Sequence, residues 1–391
     1  MRLARPAVFK PPVPAHVPYW RLSGFYLFYF SALGALVPYW SLYLKELNFS
    51  AQEIGELIAI LAATKIIAPN LWGWLADHSG RGLSIVRLAT VLSAVSFVGV
   101  FWATSFWWLA GVMFLFSFFW NAALPQFEAT TMNHLGEGTH AYSNIRLWGS
   151  VGFILSVVLL GPLLQSQGAG LLLPVLMVLF VAIWLASLSV PDSAAHDTHV
   201  EVPSLRKVLL KPEVIGLLIA AFLMQASHGA YYTFYSIYLE DYGYDRGVIG
   251  LLWGFGVVVE VAVFMRMGRL IARFGERSLL IISLLLASVR WLLIAFFPAH
   301  IGIMTLAQAI HAATYGVMHA AAIHLIHRHF RGRHQVRGQG IYSSFSFGVG
   351  GAIGSLLAGY VWDGLGGALT FGLFGLVALV GAGVAWRWIR N

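Results

Sequence analysis

Twelve stretches of mostly apolar residues recur along the chain, at 20–43, 53–75, 83–104, 106–132, 143–165, 169–190, 212–239, 247–270, 278–298, 301–327, 338–362 and 367–388. A helix crossing a bilayer needs about 20 such residues. Inside hydrocarbon the backbone must satisfy its own hydrogen bonds, so each stretch is predicted to be a spanning helix. The expected fold class is an all-α membrane protein with 12 transmembrane helices. Charge is correspondingly scarce: 10% of the 391 residues are Asp, Glu, Lys or Arg, and 59% are apolar. An ordinary soluble domain is about a quarter charged. This composition excludes a soluble enzyme, a disordered chain and a secreted disulfide scaffold. The absence of cysteine also removes thiol catalysis and thiolate metal sites. A net charge of +8 then reads as Lys and Arg at membrane boundaries, not as a nucleic-acid surface.

The positions of those cations orient the chain. Residues 1–19 are Pro-rich and basic and have no apolar core, which predicts a cytoplasmic N-terminal tail. With that end inside, 19 of the 24 Lys and Arg fall on the cytoplasmic side, Lys45 and Arg246 fall outside, and Lys65, Arg146 and Arg290 lie within spans. The bias implies cytoplasmic termini and a multi-pass protein of a bacterial-type plasma (inner) membrane. The polar stretch 191–211 is the expected central cytoplasmic loop. It separates an N-terminal six-helix half, 20–190, from a C-terminal half, 212–388, with a short tail at 389–391. Two such halves around a midplane site are the plan of many secondary transporters.

Charges inside a bilayer are costly, and each is a functional candidate. Glu128 and Arg146 are equidistant from Glu137 in the turn between spans four and five, and Glu260 and Arg290 from Gly275 between spans eight and nine. Hairpin symmetry thus puts one acid and one arginine at matching depth in each half. Such a pair either pins two helices or, where the arginine moves, switches the proton affinity of the acid. Span ten places Gln308, His311, Tyr315 and His319 on one face, and span seven repeats the pattern with Gln225, His228, Tyr232 and Tyr235. A polar and aromatic face belongs on a cavity, and histidine relays protons near neutral pH. No carboxylate accompanies these histidines, so no metal site is expected. Lys65 lies well inside span two, and a lone midplane cation calls for an anion. A carboxylate solute would supply it, with Tyr26, Tyr29 and Trp120 covering its apolar body and Asn121 nearby. Pairing of Lys65 with Glu128 is the structural alternative. Glycines crowd span eleven and, as Gly149 and Gly152, span five, where helices should approach closely and slide.

The turn after span two, Gly73-Trp-Leu-Ala-Asp77-His-Ser-Gly80-Arg81, resembles the signature loop of the major facilitator superfamily. The matching turn of the second half, from Gly268 to Arg277, keeps glycines and arginines but lacks the aspartate. Further stretches carry a closer resemblance: Arg146-Leu-Trp-Gly-Ser-Val-Gly-Phe153, Gln225-Ala-Ser-His-Gly-Ala-Tyr-Tyr232, Gly256-Val-Val-Val-Glu-Val261, Ser288-Val-Arg-Trp291 and the span-ten run from Gln308 to His319. Together they are similar to the phenylpropionate permease family and, more distantly, to the lactose permease. The resemblance implies a major facilitator fold. It implies substrate contacts at Glu128 and Arg146 and a basic residue at Lys65, to which the reading of the residues adds Asn121, Tyr26, Tyr29, His228 and Tyr232 as candidate substrate contacts. It implies proton coupling through Glu260, Arg290, His311, Tyr315 and His319, and a bracing loop at Gly73, Asp77, Gly80 and Arg81. Two departures stand out: Thr314 replaces a carboxylate and Gln308 a lysine of the lactose permease.

The resulting expectation is a proton symporter working by alternating access, with no cofactor beyond the coupling proton and no nucleic-acid partner. It would act as a single chain in the lipid bilayer and import a small aromatic monocarboxylate. A sugar or nucleoside symporter and a drug/proton antiporter are the alternatives. For the antiporter, the span-five motif is incomplete, because Gly161-Pro162 is followed by Leu163, Leu164, Gln165 and Ser166. An enzyme is not expected, since no His-Glu-x-x-His or Gly-x-Ser-x-Gly motif is present.

Overall fold

The computed structural model describes residues 17–102, 105–192, 205–330 and 334–389. Most of the expected N-terminal tail, the centre of the 191–211 loop, Arg331, Arg333 and Arg390 lie outside the described residues. Within them the chain is helical and contains no strand. Eleven helices are long and apolar enough to cross a membrane: α1 (Tyr19–Glu46), α2 (Ala51–Ser79), α3 (Gly82–Trp102), α4 (Phe106–Leu135), α5 (Tyr142–Gln167), α6 (Ala169–Ser189), α7 (Pro212–Asp241), α8 (Arg246–Phe264), α9 (Glu276–Phe296), α10 (Ile301–His329) and α11 (Arg337–Trp388).

Local chemistry sets the boundaries. The Ser50 hydroxyl accepts from the Glu53 amide while the Glu53 carboxylate accepts from the Ser50 amide, a capping box that starts α2. Asp245 caps α8 by accepting from the Val248 amide at 2.8 Å. Two boundaries differ from the hydropathy reading. Hydropathy carries span eight to residue 270, but α8 stops at Phe264 and a separate helix, Met267–Phe274, follows a non-helical Arg266 (φ −106°). Arg266, Arg269 and Arg273 cannot enter hydrocarbon, so the chain turns and lays Met267, Leu270 and Ile271 against the core. The last two stretches are joined in α11, 52 residues long, which is broken at Gly366 (φ 75°, ψ 165°), a conformation that only glycine adopts without strain.

The packing falls into two sets. In the first, α1 packs on α5 and α6, α3 on α4 and α6, and α2 on α4. In the second, α11 packs on α7 and α9, and α10 on α8 and α9. Between the sets, α2 meets α11, α5 meets α8, and α1 meets α7. Glycine permits the tightest contacts. A Cβ at Gly152 would overlap the Leu27 carbonyl of α1, whereas one at Gly111 would meet nothing within 4 Å. Alanine normally stabilises a helix interior by up to about 1 kcal/mol over glycine, while overpacking costs about 1–3 kcal/mol. Thermal unfolding in detergent should therefore move in opposite directions, up for Gly111→Ala and down for Gly152→Ala.

The two ends of the bundle differ. At the end carrying Lys45 and Arg246, ion pairs tie the sets together. Arg246 Nη2 lies 2.6 Å from Glu46 Oε1 and 2.9 Å from Glu240 Oε1. Lys45 Nζ lies 2.5 Å from Asp241 Oδ1. Arg246 also donates through Nη1 to the Leu164 carbonyl at 3.2 Å, and its amide donates to Gln165 Oε1 at 3.0 Å. Close by, a Cβ on Gly55 of α2 would come within 2.7 Å of the Gly359 Cα of α11. Toward the opposite end the sets meet through Asn70, which donates to Ser344 Oγ at 3.1 Å.

Candidate functional site

A cavity of about 270 Å³ lies between the two sets, lined by α1, α2, α4 and α5 on one side and by α7, α8, α10 and α11 on the other. Lys65, Asn121, Arg146, Tyr232, Glu260, His311 and Tyr315 all line it, together with Trp120. Sequence reasoning assigns each of these residues to a site. Lys65 reaches the cavity from α2 and makes no ion pair among the described residues. Its expected alternative partner, Glu128, makes no ion pair with it; Glu128 accepts instead from the Tyr142 hydroxyl at 3.2 Å.

Arg146 lies over the Phe30 ring, 3.8 Å from its centroid, a cation–π contact. Gly149, one turn further along α5, leaves the room: a Cβ there would sit 2.6 Å from Arg146 Nη1. Arg146 lines the cavity from α5 and Glu260 from α8 in the opposite set, and Arg146 makes no ion pair with Glu128 or Glu260 among the described residues. Glu260 makes no side-chain hydrogen bond or ion pair among the described residues. Its stem rests on Gly316, where a Cβ would come within 3.1 Å of Glu260 Cγ. Gly316 belongs to a π-helical turn, Ala312–Val317, that interrupts α10 just after His311, and such turns frequently mark functional sites.

The expected pairing of Glu260 with Arg290 is not made. Arg290 is fully buried. It donates through Nε to the Ala307 carbonyl at 2.9 Å and through Nη2 to Gln308 Oε1 at 3.3 Å. Its guanidinium carbon lies 4.1 Å from the Tyr231 ring centroid and 4.5 Å from that of Trp291. Amide oxygens and aromatic faces thus take the place of the carboxylate, and Glu260 is left to the cavity. Gln308, which stands where the lactose permease has a lysine, bridges two groups here, because its Oε1 also accepts from the Tyr231 hydroxyl at 3.0 Å.

Other expected residues stand behind the cavity wall. Tyr26 donates to Thr131 Oγ1 at 3.1 Å and packs on Phe127, and Tyr29 donates to the Trp120 carbonyl at 3.5 Å. His228 is fully buried, with Nδ1 2.8 Å from the Met224 carbonyl and its ring on edge to Trp291. His319 Nδ1 lies 3.2 Å from the Tyr342 hydroxyl. The turn with Gly73, Asp77, Gly80 and Arg81 lies far along α2 from the cavity. Gly80 (φ 64°) caps the helix, and Asp77 and Arg81 are exposed. Asp77 makes no ion pair among the described residues, so the expected brace is not engaged in this state. No group of three or more metal-ligating side chains occurs among the described residues.

The cavity residues missed by sequence reasoning include Phe30, Ser150, Trp253 and Phe347. Trp253 lines the cavity from α8, with Nε1 donating to Ser236 Oγ at 3.1 Å and its ring 4.5 Å from that of Tyr231. Phe347 lines it from α11. A signal existed for Trp253, since Trp253, Val257 and Glu260 fall at steps of four and three, one helix face with the acid at its end.

A family model described as the MFS_1 like family matches residues 19–373. A protein of Escherichia coli (strain K12) described as a probable 3-phenylpropionic acid transporter is 29% identical, over 92% of this chain and 94% of that protein. The maltose permease of Geobacillus stearothermophilus is 27% identical over 87% of this chain and 86% of its own. Among solved structures, the nucleoside transporter NupG superposes with a TM-score of 0.84, at 15% identity, covering 95% of this chain and 99% of that one. At that identity the last likeness speaks for the fold alone.

Proposed function

The chain belongs to the MFS_1 like family of membrane transporters, and from that premise we propose that it imports an aromatic monocarboxylate of the phenylpropionate type together with a proton, by alternating access. The observation that carries this reading is Lys65, a cation on the wall of a largely apolar cavity that makes no ion pair among the described residues. A buried charge is stable only when paired, and a solute carboxylate completes the pair. The aromatic walls at Trp120 and Trp253 cover an aryl body. A neutral sugar or nucleoside would leave Lys65 unpaired. The relative described as a probable 3-phenylpropionic acid transporter supports the same choice.

In this reading the break at Gly366 separates two spans, which gives twelve spans in two halves at 20–190 and 212–388, with both termini cytoplasmic and a single chain as the working unit. The excess of cations at the other end then marks the end with Lys45 and Arg246 as external. The ion pairs there make this the state closed to the outside. Glu260 carries the proton, with His311 on the same wall. Arg146 links proton to solute, because it lines the same cavity as Glu260 from the opposite half. Rocking of the halves moves that guanidinium relative to the carboxylate, and a nearer cation favours proton release. Solute and proton drive the cycle only so far as they bind its states unequally.

Uptake of labelled phenylpropionate into proteoliposomes tests the reading, with accumulation expected under an inward proton gradient and little without one. No uptake by folded protein under either condition would remove the assignment. Glu260→Gln is expected to abolish gradient-driven accumulation while retaining solute exchange between equal concentrations on both sides. Loss of both activities together would assign Glu260 to solute binding instead.

A further inference from the structure

The free polar groups of the cavity divide between the halves. In the N-terminal half Ser150 and the Trp120 indole make no hydrogen bond among the described residues, while two other neutral groups are engaged. Asn121 donates to the Leu61 carbonyl at 3.1 Å and to Thr64 Oγ1 at 2.9 Å, and Ser117 lies 3.0 Å from the same Thr64 hydroxyl. The cations Lys65 and Arg146 remain. In the C-terminal half, Gln225, Tyr232, Glu260 and Tyr315 line the cavity, and none of the four makes a side-chain hydrogen bond among the described residues. Neighbouring tyrosines behave differently: Tyr231 donates to Gln308 at 3.0 Å and Tyr238 to the Ala295 carbonyl at 2.9 Å. Tyr235, which does not line the cavity, also has an unpartnered hydroxyl, but those of Tyr232 and Tyr315 are the free phenols on the wall.

Tyr315 stands where these groups meet. Its ring stacks on His311 with centroids 5.5 Å apart, it meets Phe347 edge-on at 6.1 Å, and the charge of Glu260 acts on it. Glu260 rests on Gly316, the residue next to Tyr315, so a phenol and a carboxyl group share this wall, a donor–acceptor pair that suits a hydroxyl group, which donates a hydrogen bond to a carboxyl oxygen, with or without the coupling proton on Glu260, and accepts one from the phenol. Lys65 enters the cavity from α2, in the opposite set of helices, and makes no ion pair with that carboxylate. A solute seated on both must carry an anion at one end and a hydroxyl at the other, with a flat apolar body against Trp120 and Trp253 between them.

Resting on the importer reading above, we propose that the preferred solute is a hydroxyarylalkanoic acid, its carboxylate at Lys65 and its phenolic hydroxyl held by Glu260 and Tyr315. Closing the cavity around an unsubstituted ring strips water from those two groups and returns nothing. Closing it around a phenol replaces the water bonds, and sites built to bond a solute hydroxyl discriminate strongly against analogues that lack it. Because the solute bridges both halves, its hydroxyl also helps to draw them together.

Proteoliposome uptake of 3-phenylpropionate, 3-(3-hydroxyphenyl)propionate and 3-(4-hydroxyphenyl)propionate tests the proposal. At least one hydroxylated acid is expected to show an apparent KM about 10–100-fold below that of the unsubstituted acid. Tyr315→Phe is expected to shrink that ratio to about threefold or less. The ratio is the readout, so a general loss of folded protein does not imitate the result. As a second measurement independent of the variant, the hydroxylated acid should raise the melting temperature of the unaltered protein more than the unsubstituted acid at equal concentration. Equal or better handling of the unsubstituted acid would overturn this proposal and leave the importer reading standing. Failure of all three acids to be carried or to stabilise folded protein would overturn both.

Discussion

With a cysteine in place of Val37, replacing Arg246 by alanine is expected to make that thiol reactive toward a membrane-impermeant maleimide added from outside, and to slow net uptake. Val37 lines the cavity, and the chain contains no other cysteine, so the label reports one position. The effect should be large because one guanidinium ties four helices. Arg246 begins α8, and its donors reach Glu46 of α1, Glu240 of α7 and the Leu164 carbonyl of α5. Removing it leaves the Glu46 carboxylate without its cation, and Glu240 with only Lys45, whose Nζ lies 3.5 Å from Glu240 Oε2. The two glutamate side chains are 42% and 28% exposed, so solvent takes up part of the loss, which lies well below that of a fully buried pair. A bias of about 1–3 kcal/mol toward the state open at this end remains, about a 5–150-fold change in the ratio of states. High salt should move the unaltered protein in the same direction, more weakly. Labelling of the Val37 cysteine that is indifferent to Arg246 would show that packing, such as the contact of Gly55 with Gly359, closes this end without help from the charges.

Much of the architecture is legible in the sequence because the bilayer leaves few choices. Apolar length finds the helices, and each of α1 to α11 coincides with one or two of the apolar stretches. What hydropathy cannot see is backbone conformation at glycine and the pull of a few arginines. The joined α11 and the early end of α8 are the two departures in the fold, and each traces to one of these causes. The site divides in the same way. Lys65, Glu260 and His311 are legible because a polar group within an apolar run has little to do except meet a cavity. Partner choice is not legible. Helical spacing puts Glu260 and Arg290 at matching depth, but rotation about the helix axes decides what each one faces. Arg290 faces the Ala307 carbonyl and two aromatic rings inside its own half, while Glu260 lines the cavity. Tyr26 and Tyr29 show the same limit, since both lie on α1 near the site yet point into the packing behind the wall.

Lys65→Gln separates a functional cation from a structural one, because the two roles predict opposite signs. If Lys65 held the bundle together by pairing with an acid, its neutral replacement would lower the melting temperature and reduce transport of every solute alike. Lys65 makes no ion pair among the described residues, although Glu260 lines the same cavity, and an unpaired charge in a largely apolar cavity costs stability. The glutamine variant of the empty protein is therefore expected to melt at a temperature equal to or above that of the parent. Transport should fall steeply at the same time. Losing one partner of a desolvated charge pair costs about 2–4 kcal/mol, so the apparent KM for a carboxylate solute should rise about 10²–10³-fold. The corresponding neutral amide, which a glutamine can hydrogen-bond, should lose much less. Arginine at the same position keeps the charge but is planar and less compact, and partial recovery of acid transport is expected from Lys65→Arg. Equal losses for the acid and its amide, with a lowered melting temperature, would place Lys65 in the scaffold and take the carboxylate anchor with it. A protein that becomes more stable as it stops carrying its solute would be one whose cavity holds a charge waiting for a counter-charge, and in an importer that counter-charge arrives with the solute.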